Sequence, residues 1–316
     1  MKLALVFDIS SVMLSIRNKS TYKTLKILLL QKKKFLTTII PTIKSNYNQM
    51  TNHNNTNHLI ILPCHSIWKQ GGRTLGDSRD EWHLVDFQIE GYDHLSMKHH
   101  ILLSISELNQ DPKSHLIISG GETKKEAGPI SESLSYYMLA KELFKNDEEL
   151  ILDRISTETF ARDSFENVVF SICRFYEIFG TYPERITIVG FEFKRKRFLD
   201  LHLETALLFP KEKVVYIGNA PDPKDITDKE EKERYFKEID ENEYKFAVSL
   251  FETDWYGINS GLLKKKMKRN PFNRYHGYVQ SNPHLADFLI AIHDNSSKTN
   301  ENEKIRDLLL HMPWIE

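Results

Sequence analysis

From residue 59 onward, short apolar runs alternate with stretches of helical spacing. Leu59–Pro63 (LIILP), Leu116–Ser119 (LIIS), Leu150–Asp153 (LILD), Ile186–Phe191 (ITIVGF) and Lys213–Ile217 (KVVYI) are short, β-branched and without polar alternation, the pattern of strands covered on both faces. Between them the spacing predicts four helices. One runs from Asp93 to Asn109, and a second, after Pro129, buries Tyr136, Leu139, Ala140, Leu143 and Phe144. The third is the best defined: Phe165, Val168, Val169, Ile172, Cys173, Tyr176 and Phe179 keep one stripe, Asp163 with Glu166 resembles a capping box, and Gly180 closes it. The fourth carries Phe198, Leu201, Thr205 and Leu208 inward. Strands alternating with helices predict βαβ units, and hence an α/β, three-layer Rossmann-like domain with a mainly parallel sheet over 57–219. Past Pro221 the alternation stops. Residues 220–316 read as an extension packed on that domain, with the aromatic FETDWYG, the basic LKKKMKR (Leu263–Arg269) and NPFNRYHGY (Asn270–Tyr278).

Composition narrows the class. With 316 residues, 40% hydrophobic and a formal net charge of −1, the chain has ample material for a core. Its two cysteines, Cys64 and Cys173, exclude a disulfide-stapled module and suggest a reducing compartment. No apolar run approaches the ~20 residues of a membrane-spanning helix. Residues 1–76 hold eleven Lys/Arg against one acid, Asp8, while the remainder is acidic. Residues 1–56 therefore read as a basic leader loosely like a mitochondrial transit segment, although Arg17 is the one arginine in residues 1–50. A cytoplasmic protein is expected, with a mitochondrial one as the alternative. The Asn/His-rich tract 51–58 reads as a solvated linker.

In an open parallel sheet, ligands bind beyond the carboxyl ends of the strands. The candidate residues therefore fall on the strand-end loops: His65 after the first strand; Ser119, Gly120 and Gly121 after the second; Glu158, Ser164, Glu166 and Asn167 after the third; Lys194 and Arg197 after the fourth. Ser131 and Glu132 open the second helix. Helix capping would explain each acid singly, but not their company with Lys194 and Arg197. Glu158 and Glu166 are candidates for acid/base work or, with Glu132, for holding a divalent cation. Lys194 and Arg197 suit an anionic group, and Ser119-Gly120-Gly121 would let a ligand approach the main chain. His65 could act as acid, base or donor. The motifs GxGxxG, GxxxxGKS and GxSxG are absent, and Cys64-His65 adjacency makes no catalytic pair. His94, His99 and His100 read as helix surface.

At these residues the chain resembles the DUF-218 (SanA/YdcF-like) family, in its eukaryotic branch. The matching motifs are Ser119-Gly120-Gly121 with Ser131-Glu132; Glu158, Ala161 (usually Ser), Ser164 (usually Thr), Glu166 and Asn167; and Lys194 (usually His) with Arg197. PCHSIW replaces the glycine-rich turn of bacterial members, and NPFNRYHGY extends the likeness into the C-terminal region. The resemblance implies a Rossmann-like fold and a charged pocket, without a settled reaction. The leading expectation is an enzyme or enzyme-like protein that binds a small anionic metabolite, phosphate- or nucleotide-like, in one hollow shared by the acids and bases. The alternatives are a ligand-sensing or interaction protein, whose Trp255, Tyr256 and LKKKMKR meet a protein partner, and an enzyme binding S-adenosylmethionine or another adenosyl ligand. Nucleic-acid binding is disfavoured because the body is acidic and the basic run short.

Overall fold

The computed structural model describes residues 56–146, 153–293 and 301–315, so nearly all of the leader lies outside the described residues. Five strands form one parallel sheet: β1 (His58–Pro63), β2 (Ser114–Ser119), β3 (Ile155–Glu158), β4 (Arg185–Phe191) and β5 (Val214–Asn219), ordered β3-β2-β1-β4-β5. Strands are added outward from β1 in two directions. That reversal falls between β1 and β4, and the carboxyl ends of strands at such a reversal are where doubly wound sheets take ligands.

Alternation along the strands sorts the core into two layers. Leu59 and Ile61 of β1 pack with Ile117, Ile186 and Ile188 against α3 (Ser164–Phe179). Ile60 and Leu62 pack with Leu116 and Ile118 against α1 (Asp93–Gln110) and α2 (Glu132–Leu143). All four β1 side chains are fully buried, which accounts for the unbroken apolar run. His58, expected in a linker, is the first residue of β1; its ring nitrogens lie 2.9 Å from Asp111 Oδ2 and 2.9 Å from Thr187 Oγ1.

Three expectations need correction. The LILD run does not supply β3: residues 150–152 lie outside the described residues, Asp153 is helical, and the strand is Ile155–Glu158, in register from Leu116↔Ile155 to Ser119↔Glu158. β3 is an edge strand, and its Ser156 and Thr157 are only half-buried, so it needs no continuous apolar run. The fourth helix, Arg197–Ala206, winds as a π-helix. Its wider winding buries Phe198, Leu201, His202, Leu203 and Ala206, whereas Thr205 is half-buried and Leu208 lies beyond the helix at φ 53°. Finally, His94 and His100 are buried rather than on the surface, because α1 is covered beyond the sheet: His94 Nε2 meets Asp77 O and His100 Nε2 meets Asn219 Oδ1.

The C-terminal region is helical, with α4 (Lys229–Glu243) and α5 (Ser260–Lys268). Tyr256, Leu262, Phe288, Leu309 and Trp314 join the same buried cluster as Phe165 and Phe198. Trp314 Nε1 donates to Leu207 O at 2.9 Å and Tyr256 OH to Ala206 O at 3.2 Å. Among the described residues, no helix is long and apolar enough to cross a membrane.

Candidate functional site

The loops leaving β1 and β4 bring His65 and Lys194 together, with Lys194 Nζ 3.3 Å from His65 Nδ1. The imidazole packs on Phe191, ring centroids 5.1 Å apart, and edge-on to His100 at 6.0 Å. Burial, then the Lys194 charge, pushes His65 well below the usual imidazole range, so the ring is neutral and its Nδ1 accepts from Lys194. Its other nitrogen, Nε2, is buried and has no protein partner. The Lys194 ammonium lies over Phe191 and Phe193, 5.0 and 5.5 Å from their centroids. Loss of solvent, then repulsion from Arg197, brings its pKa down to about 8. Asp93, the first residue of α1, is pushed up to about 7 by burial, with Lys194 pulling the other way.

Further cations act on this pair. Arg197 Nε lies 3.0 Å from Glu243 Oε1 at the end of α4, and both side chains are largely buried. Arg269, just beyond α5, donates from Nη1 to Arg162 O at 3.1 Å, and its charge acts on His65, Lys124, Glu132 and Lys194. Lys124 donates to His83 O. Glu132, which accepts from Thr123 Oγ1, is raised by burial and held back by Arg269, Lys124 and Lys194. Lys194 and Arg269 form no ion pair among the described residues.

Glu158 and Glu166 lie elsewhere. Glu158, fully buried at the end of β3, accepts from Phe160 N (2.7 Å) and Tyr278 OH (3.2 Å) on Oε1, and from Ala161 N (3.2 Å) on Oε2; Ser119 Oγ stands 2.8 Å from Oε2 and 2.8 Å from Asn167 Oδ1. Burial outweighs these donors and raises its carboxyl to about 7. In the protonated form Glu158 can donate to Ser119 Oγ, which frees the hydroxyl proton for Asn167. Glu166 binds Arg162 through Nη2 (2.6 Å) and Nε (3.0 Å), accepts from Arg162 N (2.8 Å), and pairs with Lys266 Nζ at 3.3 Å. Burial alone would raise it, but Lys266 and Arg162 overcome that and hold it well below the carboxylate range. The capping box is therefore one-sided. Asp163 Oδ1 accepts from Glu166 N at 2.8 Å, while the Glu166 carboxylate turns to Arg162 instead of back to Asp163.

The expected common hollow is thus divided. His65, Lys194 and Arg197 gather at the β1 and β4 ends, Glu132 opens α2 with the Lys194 charge acting on it, and Ser119, Glu158 and Asn167 form one buried network and Glu166 another. The three acids suggested for a divalent cation sit in separate surroundings, and no His/Cys/Asp/Glu group among the described residues could hold a metal. The glycine amides are also engaged within the protein: Gly120 N donates to Glu158 O (3.1 Å) and Gly121 N to Ala161 O (2.7 Å), while their carbonyls accept from Ser133 N and Glu132 N. A Cβ on Gly121 would stand 2.8 Å from Ala161 O, so the close approach is to the chain's own backbone. Ser131 caps α2, its Oγ accepting from Leu134 N, and Ser164 Oγ is 2.7 Å from His202 Nε2. Cys64 is buried and its thiol is raised, first by burial, so it is no activated nucleophile.

No family model matches the chain, and no solved structure does. An uncharacterised protein of Saccharomyces cerevisiae (strain ATCC 204508 / S288c), YOR238W, is 38% identical over 264 residues, covering 71% of this chain and 86% of that protein. The chain belongs to the family of this yeast protein. In this member, sequence reasoning missed Asp93, Glu243, Lys266, Arg269 and Tyr278 as neighbours of the strand-end residues. Asp93 was visible only as a helix start. Lys266 and Arg269 are visible only as part of a basic run, in which one lysine turns inward to Glu166 and the exposed arginine donates to Arg162 O.

Proposed function

We propose that the β1/β4 crevice binds a small anionic metabolite, phosphate- or nucleotide-like, and that the chain is an enzyme-like member of the DUF-218 family. The observation that carries this reading is the convergence of Lys194, Arg197 and Arg269, from three elements, with one carboxylate pair among them. Burial, then the charges of Arg197 and Arg269, work against the Lys194 ammonium, and an anion seated there relieves that repulsion. Arg197 and Arg269 offer planar forks suited to phosphate oxygens. The position also fits, because strand-order reversal is where doubly wound sheets take nucleotides. An adenosyl ligand is the narrower alternative, and the PCHSIW turn lacks the glycines that let a dinucleotide backbone approach. Glu158 and Glu166 serve the fold in this reading, since residues of the C-terminal region hold both.

Thermal unfolding of the full chain in rising inorganic phosphate, AMP and S-adenosylmethionine tests the proposal. Phosphate or AMP should raise Tm in wild type, since ligand at 100 times Kd adds about 2.7 kcal/mol of stability. Arg269→Ala should lose that rise. No rise with either phosphate compound, or equal rises in both proteins, overturns it; a rise confined to S-adenosylmethionine would favour the adenosyl reading.

A further inference from the structure

Two lysines of this fold, Lys266 buried and Lys194 half-buried, differ in what surrounds them. Lys266, 1% exposed, pairs with Glu166 at 3.3 Å and donates to Tyr256 O at 3.2 Å, so its charge is neutralised and fixed. Lys194 lacks any ion pair among the described residues. Its one hydrogen-bond partner is the neutral Nδ1 of His65, and the rings of Phe191 and Phe193 lie beneath it. Set against an imidazole lone pair and two aromatic rings, with the Arg197 charge acting on it, Lys194 has the surroundings that leave a lysine amine nucleophilic: lost solvent and a neighbouring cation.

We propose that Lys194 is a nucleophile that condenses with the carbonyl carbon of a small anionic aldehyde or keto acid, whose negative group rests on Arg197 and Arg269. This rests on the anion-binding reading above and adds the substrate class. In the step, the Nζ lone pair attacks the carbonyl carbon after Lys194 has given one proton to solvent. Proton transfers to the carbonyl oxygen then allow the C–O bond of the carbinolamine to break, and water leaves. The product is an imine between Nζ and the substrate carbon, protonated on nitrogen, with no change of oxidation state. The charged groups acting on Nζ are Arg197 and Arg269, which favour the free amine, and Asp93, Glu243 and Glu132, which oppose it; His65 and His100 are neutral. Burial and the two arginines together place its pKa at about 8. At pH 8 its free-amine fraction should exceed that of an ordinary lysine by about a hundredfold.

The test uses the full chain, pyridoxal 5′-phosphate as a probe that carries both an aldehyde and an anion, and cyanoborohydride, whose hydride reduces an imine to a stable secondary amine. Intact mass and peptide mapping of briefly labelled wild type should find one adduct, on Lys194, with a half-maximal labelling rate near pH 8. Inorganic phosphate should slow labelling at least tenfold. Lys194→Arg should lose that adduct, and mapping of wild type gives the same answer should the variant fold poorly. If phosphate or AMP raises Tm in wild type but labelling spreads over surface lysines, the nucleophile proposal is overturned while the anion site stands. Selective labelling of Lys194 without any phosphate response retains the nucleophile and overturns the anion site.

Discussion

At Glu166, two cations enclose one carboxylate whose side chain is 3% exposed. Removing its charge takes from Lys266, 2% exposed, the carboxylate at 3.3 Å, while Asp163 still acts on that lysine. Breaking a buried pair by removing one partner costs about 3–5 kcal/mol, so Glu166→Gln should lower the urea midpoint by that equivalent with an unchanged m-value. A loss under 1 kcal/mol would show that the pairing contributes little. The pH dependence follows from the same contacts. Because the folded carboxyl lies below its ordinary value of 4.5, its contribution is complete above that pH and disappears as pH falls through the depressed folded value. Acid titration of stability should therefore be steeper in wild type than in Glu166→Gln below pH 4.5. Parallel curves would remove Glu166 as the cause.

At the scale of elements, two glycines with different physical reasons give a ranking. Gly180 ends α3 at φ 71° with open space around a would-be Cβ, so Gly180→Ala meets backbone strain alone, about 1–2 kcal/mol. Gly121 has no such φ, but its Cβ would meet the Ala161 carbonyl at 2.8 Å, on the loop where β2 and β3 are joined. Gly121→Ala should cost more than Gly180→Ala in thermal unfolding, because backbone rather than a flexible side chain must move. The reverse order would show that this loop yields easily. α3 was readable from sequence since cap, stripe and terminator agree. β3 was not, because an edge strand of four residues lacks the continuous apolar signature and LILD carries it more strongly nearby. In the fourth helix Phe198 and Leu201 are inward as the spacing predicts, but Thr205 and Leu208 are not, since periodicity reasoning assumes 3.6 residues per turn and Arg197–Ala206 does not obey it.

For the molecule as a whole, the C-terminal region completes the core on the α3 side of the sheet: Tyr256, Phe288, Leu309 and Trp314 share a cluster with Phe165, and Tyr278 reaches Glu158. A fragment of residues 57–219 should accordingly show no cooperative unfolding transition and should expose apolar surface to dye, while the full chain unfolds in one step. A cooperative transition for the fragment would make the C-terminal region an accessory.

The amino-acid pattern by itself determined the parallel α/β sheet and the identity of most strand-end residues, because burial on both faces demands unbroken apolar strands and local caps fix helix ends. His65, Lys194 and Arg197 were legible for that reason. Tertiary structure decided which of these meet. Strand order sets β1 beside β4, so His65 faces Lys194 across 129 residues of chain. The chain's return over the sheet gives Glu158 to Tyr278 and Glu166 to Lys266 and brings Arg269 to the crevice. Such pairings depend on the path of the backbone through space, to which spacing along the sequence is blind, and they separate the acids that hold the fold from the cations left facing the crevice.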